Sequence, residues 1–234
     1  MRVTRFKLYH YPATRSTRVK WLLHEILGDD FDVERVALYD GKQYAPEYLA
    51  INPNHNVPVL EMQLQDGSVT RMLESGAMLA LLADAYPETG LSPAPDRATP
   101  ERALYLQMLH FATTWIDMML WQIRCQTHLI HESERDPHTL ERYRKKLTNE
   151  VEPQLQRQLS ATPYIAGESF TAADCAMGHD VMWARAYGLF CSDEFEQYAA
   201  RLRARPAFQA AYADVGDFTL APPGAPHGVP GFPG

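Results

Sequence analysis

The chain has no apolar run approaching the roughly 20 residues a helix needs to span a bilayer, and its longest such stretches are a few residues. Its first residues, MRVTRFKLYHYP, carry early charges and no apolar core of signal-peptide length. Cysteine is scarce. Cys125, Cys175 and Cys191 are the only three, and no two form a Cys-x-x-Cys pair. A disulfide framework and a cysteine-built zinc site are both poorly supported, and reduced thiols in a cytoplasmic protein are expected. There is also no basic excess: 22 Lys and Arg stand against 29 Asp and Glu, for a net charge of −7. That argues against a nucleic-acid partner, which requires a basic face to displace counterions. Apolar content is not lacking. With 234 residues, 46% of them hydrophobic, the chain can build one large domain or two modest ones without metals or disulfides.

The first 86 residues alternate strand and helix signals. Phe6–Tyr11 (FKLYHY) reads as a strand running into Pro12. Ser16–Leu27 places Val19, Leu22, Leu23 and Ile26 at helical spacing, and Gly28 stops it. Phe31–Leu38 reads as a second strand, with a shift of phase between Val33 and Val36 that predicts a bulge or bend. Residues 39–56 are mostly irregular, with a short helical turn at Pro46–Leu49. Val57–Leu64 and Ser68–Leu73 flank Gln65-Asp66-Gly67, a strong hairpin signal because Gly supplies the positive φ of a tight turn. Ser75–Tyr86 is a nearly all-apolar helix. Strand, helix, strand, hairpin, helix is the thioredoxin-like arrangement, α/β in class.

Residues 87–98 (PETGLSPAPDRA) read as a linker, and 99–220 as an all-α helical bundle. Thr99-Pro100-Glu101 starts a helix that runs to about His131. A second helix covers Pro137–Leu159. Thr171-Ala-Ala-Asp174 opens a third as a capping box, reaching about Gly188. Shorter helices follow at 193–204 and 206–214. Residues 221–234 (APPGAPHGVPGFPG) are dominated by proline and glycine and are expected to be an extended tail. His128, His131 and His138 read as surface residues, so no metal site is expected.

Three local patterns carry chemistry. Pro12-Ala13-Thr14-Arg15-Ser16 puts hydroxyls beside a helix N-terminus, where backbone N–H groups favour an anion. Asn56-Val57-Pro58-Val59 puts proline at a strand entry, where a cis peptide would expose the preceding N–H and C=O to a ligand. In Leu73-Glu74-Ser75-Gly76, Glu74 can neutralise an amine, while Ser75 and the following helix N-terminus can hold a carboxylate.

On YHYPATRSTRVKWLLHE, NPNHNVPVLE, LESGAMLALLADAYPE and YIAGESFTAADCAM, the sequence resembles the cytosolic glutathione S-transferases over residues 5–215. The resemblance implies glutathione as co-substrate along the first domain, a small electrophile between the two domains, and a homodimer. Carried over, Val57 at Pro58 pairs its backbone with the cysteinyl part of glutathione. Glu74 and Ser75 hold the γ-glutamyl end, and Gln43 and Asn56 reach the glycyl carboxylate. Asn56 stands where lysine is common. Thr14 matches the hydroxyl of serine-type members, with Ser16 and Tyr11 as alternatives and Ser16 expected to cap the helix. Arg15 stands where cysteine-type members carry cysteine, and His10 where tyrosine-type members carry tyrosine. Tyr11, Phe111, Trp115 and Met118 are the expected electrophile pocket.

The implied chemistry is detoxification-type conjugation to, or substitution on, a hydrophobic electrophile by a glutathione thiolate. Alternatives are glutathione-dependent disulfide or peroxide reduction, and a non-catalytic glutathione-binding module. A free thiol titrates near 8.5, and lowering it by about two units takes roughly 2.7 kcal/mol. One hydrogen bond donated to the anion supplies roughly 1.5–3 kcal/mol, and a helix N-terminus roughly 0.3–1. Thr14 together with the first helix can reach that sum.

Overall fold

The structure, a computed structural model, describes residues 2–217. The tail expected at 221–234 lies outside the described residues. The chain divides into two compact units. One holds the sequence up to Leu82 with the described residues from Ala207, and the other is Ala83–Pro206.

The first unit runs β1 (Val3–His10), α1 (Arg15–Leu27), β2 (Asp32–Arg35), the single turn α2 (Pro46–Leu49), β3 (Val59–Leu64), β4 (Val69–Met72) and the start of α3 (Ser75–Ala85). The strands lie in the order β2-β1-β3-β4. β1 runs parallel to β2 and antiparallel to β3, and β3 pairs antiparallel with β4. This is the thioredoxin-like sheet. Along β1, Phe6, Leu8 and His10 are buried on one face and Tyr9 on the other, as the period of two requires. Val19, Trp21, Leu22 and Leu23 of α1 and Met78 and Leu79 of α3 are buried as well.

At the hairpin, Gly67 has φ +83°, its N–H reaches the Leu64 carbonyl at 2.9 Å, and Asp66 accepts from the Ser68 N–H at 3.0 Å. β2 is shorter than expected. β1 ends opposite it, with His10 beside Arg35, so the ladder has no further partner. The Val36 N–H takes the His10 carbonyl at 2.9 Å, and the chain turns into a 3-10 turn at Leu38–Asp40.

The second unit contains α4 (Pro100–His110), α5 (Asp117–Arg124), α6 (Pro137–Lys146), α7 (Glu152–Ala161), α8 (Ala172–Ala186) and α9 (Asp193–Arg203). The two long helices expected here are interrupted by wider π-helical turns at Phe111–Ile116, Cys125–Leu129 and Leu147–Val151. Threonine hydroxyls accompany two of these turns. Thr113 donates to the Leu109 carbonyl at 2.9 Å, Thr114 to that of His110 at 2.7 Å, and Thr127 to that of Ile123 at 2.7 Å. Such bonds compete for the i−4 carbonyl and bend a helix. At the head of α8 the capping box forms, with the Asp174 carboxylate fully buried.

The last helix, α10 (Pro206–Ala211), departs from the expected grouping with the bundle. Phe208 meets Trp21 of α1 edge-on at 5.0 Å and stacks on Tyr212 at 4.2 Å, which ties this segment to the first unit. Among the described residues no helix is long and apolar enough to cross a membrane.

Candidate functional site

The strand register sets the site. His10 ends β1 beside Arg35 of β2, Tyr9 faces Val59 at the start of β3, and Leu60 faces Met72 at the end of β4. The segments that follow β1 and β4 and precede β3 therefore leave from one edge of the sheet. These are the segments that hold the three chemical patterns. Tyr11 and Val57 share one buried cluster with Tyr9, Val36, Tyr48 and Val59, and Leu73 packs against it. The same three segments each hold a non-glycine residue at positive φ: Ala13 at 53°, His55 at 45° and Glu74 at 69°. Such conformations cost on the order of 1–3 kcal/mol each and concentrate at ligand sites.

In the first segment Thr14, not Ser16, is the N-cap of α1. Its oxygen accepts from the Ser16 N–H at 3.3 Å, and its hydroxyl donates to the Tyr11 carbonyl at 2.7 Å. The expectation that Ser16 caps the helix is corrected. The Ser16 hydroxyl is fully buried and sits 2.7 Å from His10 Nδ1 and 2.8 Å from Thr14 Oγ1, while the Tyr11 N–H donates to it at 3.1 Å. A half-buried Thr14 can meet a ligand, whereas Ser16 lies behind it. Tyr11 is buried, its ring edge-on to Tyr39 at 5.4 Å and under the Arg35 guanidinium at 5.3 Å.

In the second segment Val57–Pro58 is cis, as expected for this motif, and both residues are buried. Asn52, buried, shapes the approach. Its amide donates to the Asn56 carbonyl at 2.8 Å and to Asn56 Oδ1 at 2.9 Å, and Tyr48 donates to the same carbonyl at 2.7 Å. With its oxygen engaged, the exposed Asn56 presents its NH2 as a donor. Gln43 is buried with Oε1 unpaired among the described residues.

In the third segment Glu74 is exposed and Ser75 buried. Arg18, buried on α1, donates to Ser75 Oγ from Nε at 3.1 Å and from Nη2 at 2.6 Å. Two donors fill both lone pairs of the serine oxygen, so its own hydrogen is left to donate outward, towards a carboxylate. Phe111, Trp115 and Met118 belong to the second unit. Phe111 and Met118 are half-buried, and Trp115 is exposed with the Lys146 ammonium 5.2 Å above its ring.

Arg18 and Asp214 escape the sequence reading, and His10 enters it only as the residue at the tyrosine position, with no role given. His10 Nε2 lies 3.1 Å from Asp214 Oδ2, and Lys20 donates to the same oxygen at 2.8 Å. Burial raises the Asp214 pKa, but the bonds from His10 and Lys20 outweigh it and hold the carboxyl well below the usual carboxylate range. Burial lowers the His10 pKa, with Asp214 opposing it and Lys20 and Arg35 adding to it.

The fold has relatives among known proteins. The profile of the glutathione S-transferase N-terminal domain matches residues 4–83. Disulfide-bond oxidoreductase YfcG of Escherichia coli (strain K12) is 30% identical over 217 residues, covering 90% of this chain and 96% of that protein. A glutathione transferase family member from Pseudomonas fluorescens, solved with two glutathione bound, superposes with a TM-score of 0.76 at 25% identity, over 89% of this chain and 92% of that one. Transferase URE2P6 from Phanerochaete chrysosporium, in complex with oxidized glutathione, gives 0.76 at 26% identity, over 91% and 97%. A thioredoxin-like sheet whose three motif loops meet at one edge, and a full-length relative at this identity, lead to one conclusion: the chain belongs to the glutathione S-transferase family.

Proposed function

We propose that the chain binds glutathione at this sheet edge and holds it as a thiolate nucleophile, for conjugation to or substitution on a small hydrophobic electrophile. The observation that carries this reading is the convergence of three strained loops at one edge, each offering a different group. The Thr14 hydroxyl at the N-terminus of α1 suits the thiolate, and the Val57 backbone suits the cysteinyl amide. The Ser75 hydroxyl, polarised by Arg18, suits the γ-glutamyl carboxylate, and Glu74 suits its amine. Gln43 and Asn56 suit the glycyl end. Phe111, Trp115 and Met118 of the second unit have the apolar side chains that a hydrophobic acceptor needs.

A second reading, reduction of disulfides by glutathione, is favoured by the relative YfcG, a disulfide-bond oxidoreductase. With Arg15 where a cysteine would stand, exchange would run between glutathione molecules rather than through a protein thiol. A panel of aryl halides, epoxides and mixed disulfides separates the two readings. Turnover of disulfides alone selects the second, and glutathione binding with no turnover leaves only a binding module. We further propose a homodimer, which light scattering should show as twice the chain mass; a monomer at micromolar concentration would exclude it.

The γ-glutamyl anchor is tested most cleanly by Glu74→Gln. The side chain is exposed, so stability should stay within about 0.5 kcal/mol. The Kd for glutathione should rise about tenfold, as loss of roughly 1.4 kcal/mol implies. Unchanged affinity by calorimetry would remove Glu74 from the site.

A further inference from the structure

Behind Thr14 runs a continuous line of polar atoms. Thr14 Oγ1 and Ser16 Oγ are 2.8 Å apart, Ser16 Oγ and His10 Nδ1 2.7 Å, and His10 Nε2 and Asp214 Oδ2 3.1 Å. His10 and Ser16 are both buried. The serine, histidine and aspartate are not a hydrolytic triad, because the Ser16 hydroxyl is enclosed and held by the Tyr11 N–H.

The hydrogens on this line can be assigned. Asp214, held as a carboxylate, only accepts, so His10 carries its proton on Nε2. A neutral ring then leaves Nδ1 as an acceptor, and Ser16 donates to it in preference to the more distant Tyr11 carbonyl at 3.1 Å. Ser16 Oγ keeps one lone pair for the Tyr11 N–H and one that the Thr14 hydroxyl can reach. The line therefore ends at the half-buried Thr14 hydroxyl, whose hydrogen has two acceptors in reach, the Tyr11 carbonyl at 2.7 Å and Ser16 Oγ at 2.8 Å; with the hydrogen turned from the carbonyl to Ser16, the Thr14 oxygen can accept from a ligand.

We propose that Ser16, His10 and Asp214 are positioning residues that draw the thiol proton of bound glutathione inward through Thr14 and store it on His10. The proposal rests on the glutathione reading above, with Thr14 facing the sulfur. The S–H bond breaks and its proton joins Thr14 Oγ1. The hydrogen Thr14 carried moves to Ser16 Oγ, and that of Ser16 moves to His10 Nδ1, where a new N–H bond forms. No electrons change hands. One thiolate and one imidazolium appear, Asp214 stays ionised, and net charge is unchanged. Every hydroxyl on the line now donates towards the sulfur, so the same atoms that removed the proton stabilise the anion. The proton on His10 is then available to a leaving thiolate or to water.

The charges around the ring suit this role. Lys20 of α1 and Arg35 at the end of β2 disfavour the imidazolium, as does burial, and Asp214 favours it. The ring thus rests neutral, the state a proton acceptor needs, and a new thiolate two hydroxyls away adds to the pull of Asp214.

The test is imidazole nitrogen NMR on the full chain at neutral pH, with the His10 signals assigned by their loss in His10→Asn. Saturating glutathione should convert His10 from the neutral Nε2–H tautomer to imidazolium. S-methylglutathione, which has no thiol proton, should bind and leave it neutral. If calorimetry shows glutathione bound and His10 stays neutral, the relay is overturned while the glutathione reading stands. If neither compound binds, both fall. Asp214→Asn should lower kcat about tenfold with the KM for glutathione nearly unchanged, less than the roughly 10²–10⁴-fold of a direct general acid or base because Asp214 acts through His10. An unchanged kcat would overturn the role of Asp214.

Discussion

Asp174→Ala should destabilise the chain by roughly 3–5 kcal/mol, because it leaves several buried donors without their acceptor at about 1–3 kcal/mol each. The carboxylate is buried at the first turn of α8 and accepts four hydrogen bonds. The Ile165 N–H reaches Oδ1 at 2.9 Å and the Tyr198 hydroxyl reaches the same oxygen at 2.8 Å. The Thr171 N–H and hydroxyl reach Oδ2 at 2.8 and 3.1 Å. Burial raises the Asp174 pKa, and these four bonds oppose that shift. Alanine strands the donors in a site where water cannot replace the acceptor, and each stranded donor costs about 1–3 kcal/mol. The loss is a large share of the roughly 5–15 kcal/mol that holds a typical domain. Asp174→Asn should recover little, because an amide keeps one acceptor oxygen but sets its NH2 against donors that the second carboxylate oxygen now receives. Tyr198→Phe should cost only about 1 kcal/mol, because Oδ1 keeps the Ile165 N–H. Urea unfolding measures all three. A loss below about 1 kcal/mol for Asp174→Ala would show that the box is not a stability determinant.

Thr14→Val should lower kcat at neutral pH about tenfold or more, the equivalent of at least roughly 1.4 kcal/mol from a lost hydrogen bond to an anion. Valine keeps the shape and removes the donor, so glutathione affinity should stay nearly intact. The substitution also removes the N-cap of α1, which costs about 1 kcal/mol of stability. Thr14→Ser, which restores hydroxyl and cap together, should recover both. Wild-type kcat in Thr14→Val would assign the thiolate to backbone N–H groups of α1 and dismiss the hydroxyl.

What could be read in advance from the residues was local. The Asp66-Gly67 turn, the cap and proline at Thr99-Pro100 and the Thr171–Asp174 box each depend on neighbours within a few positions, and each is found where the pattern placed it. The sheet order followed because short connections leave few topologies. Contacts across distance were not legible. Asp214 meets His10 from 204 positions along the chain. Arg18 stands four residues before Leu22, beside the apolar stripe of α1, and its acceptor, Ser75, lies 57 positions along the chain. Ser16 looked like a cap because it begins the apolar-periodic stretch; the cap lies two residues earlier, and burial beside His10 gives Ser16 other partners. The π-helical turns were missed because helical periodicity alone does not reveal where a threonine hydroxyl takes a backbone carbonyl.

The role we propose for the sheet edge holding Thr14, Val57 and Ser75 is to bind glutathione and ionise its thiol. The most direct measurement is a pH titration of the ultraviolet thiolate absorbance of glutathione bound to the wild-type protein. The expected midpoint lies about one to two units below the ordinary thiol value near 8.5, shifted back upward in Thr14→Val. A midpoint equal to that of free glutathione, with binding shown in parallel by calorimetry, would contradict it.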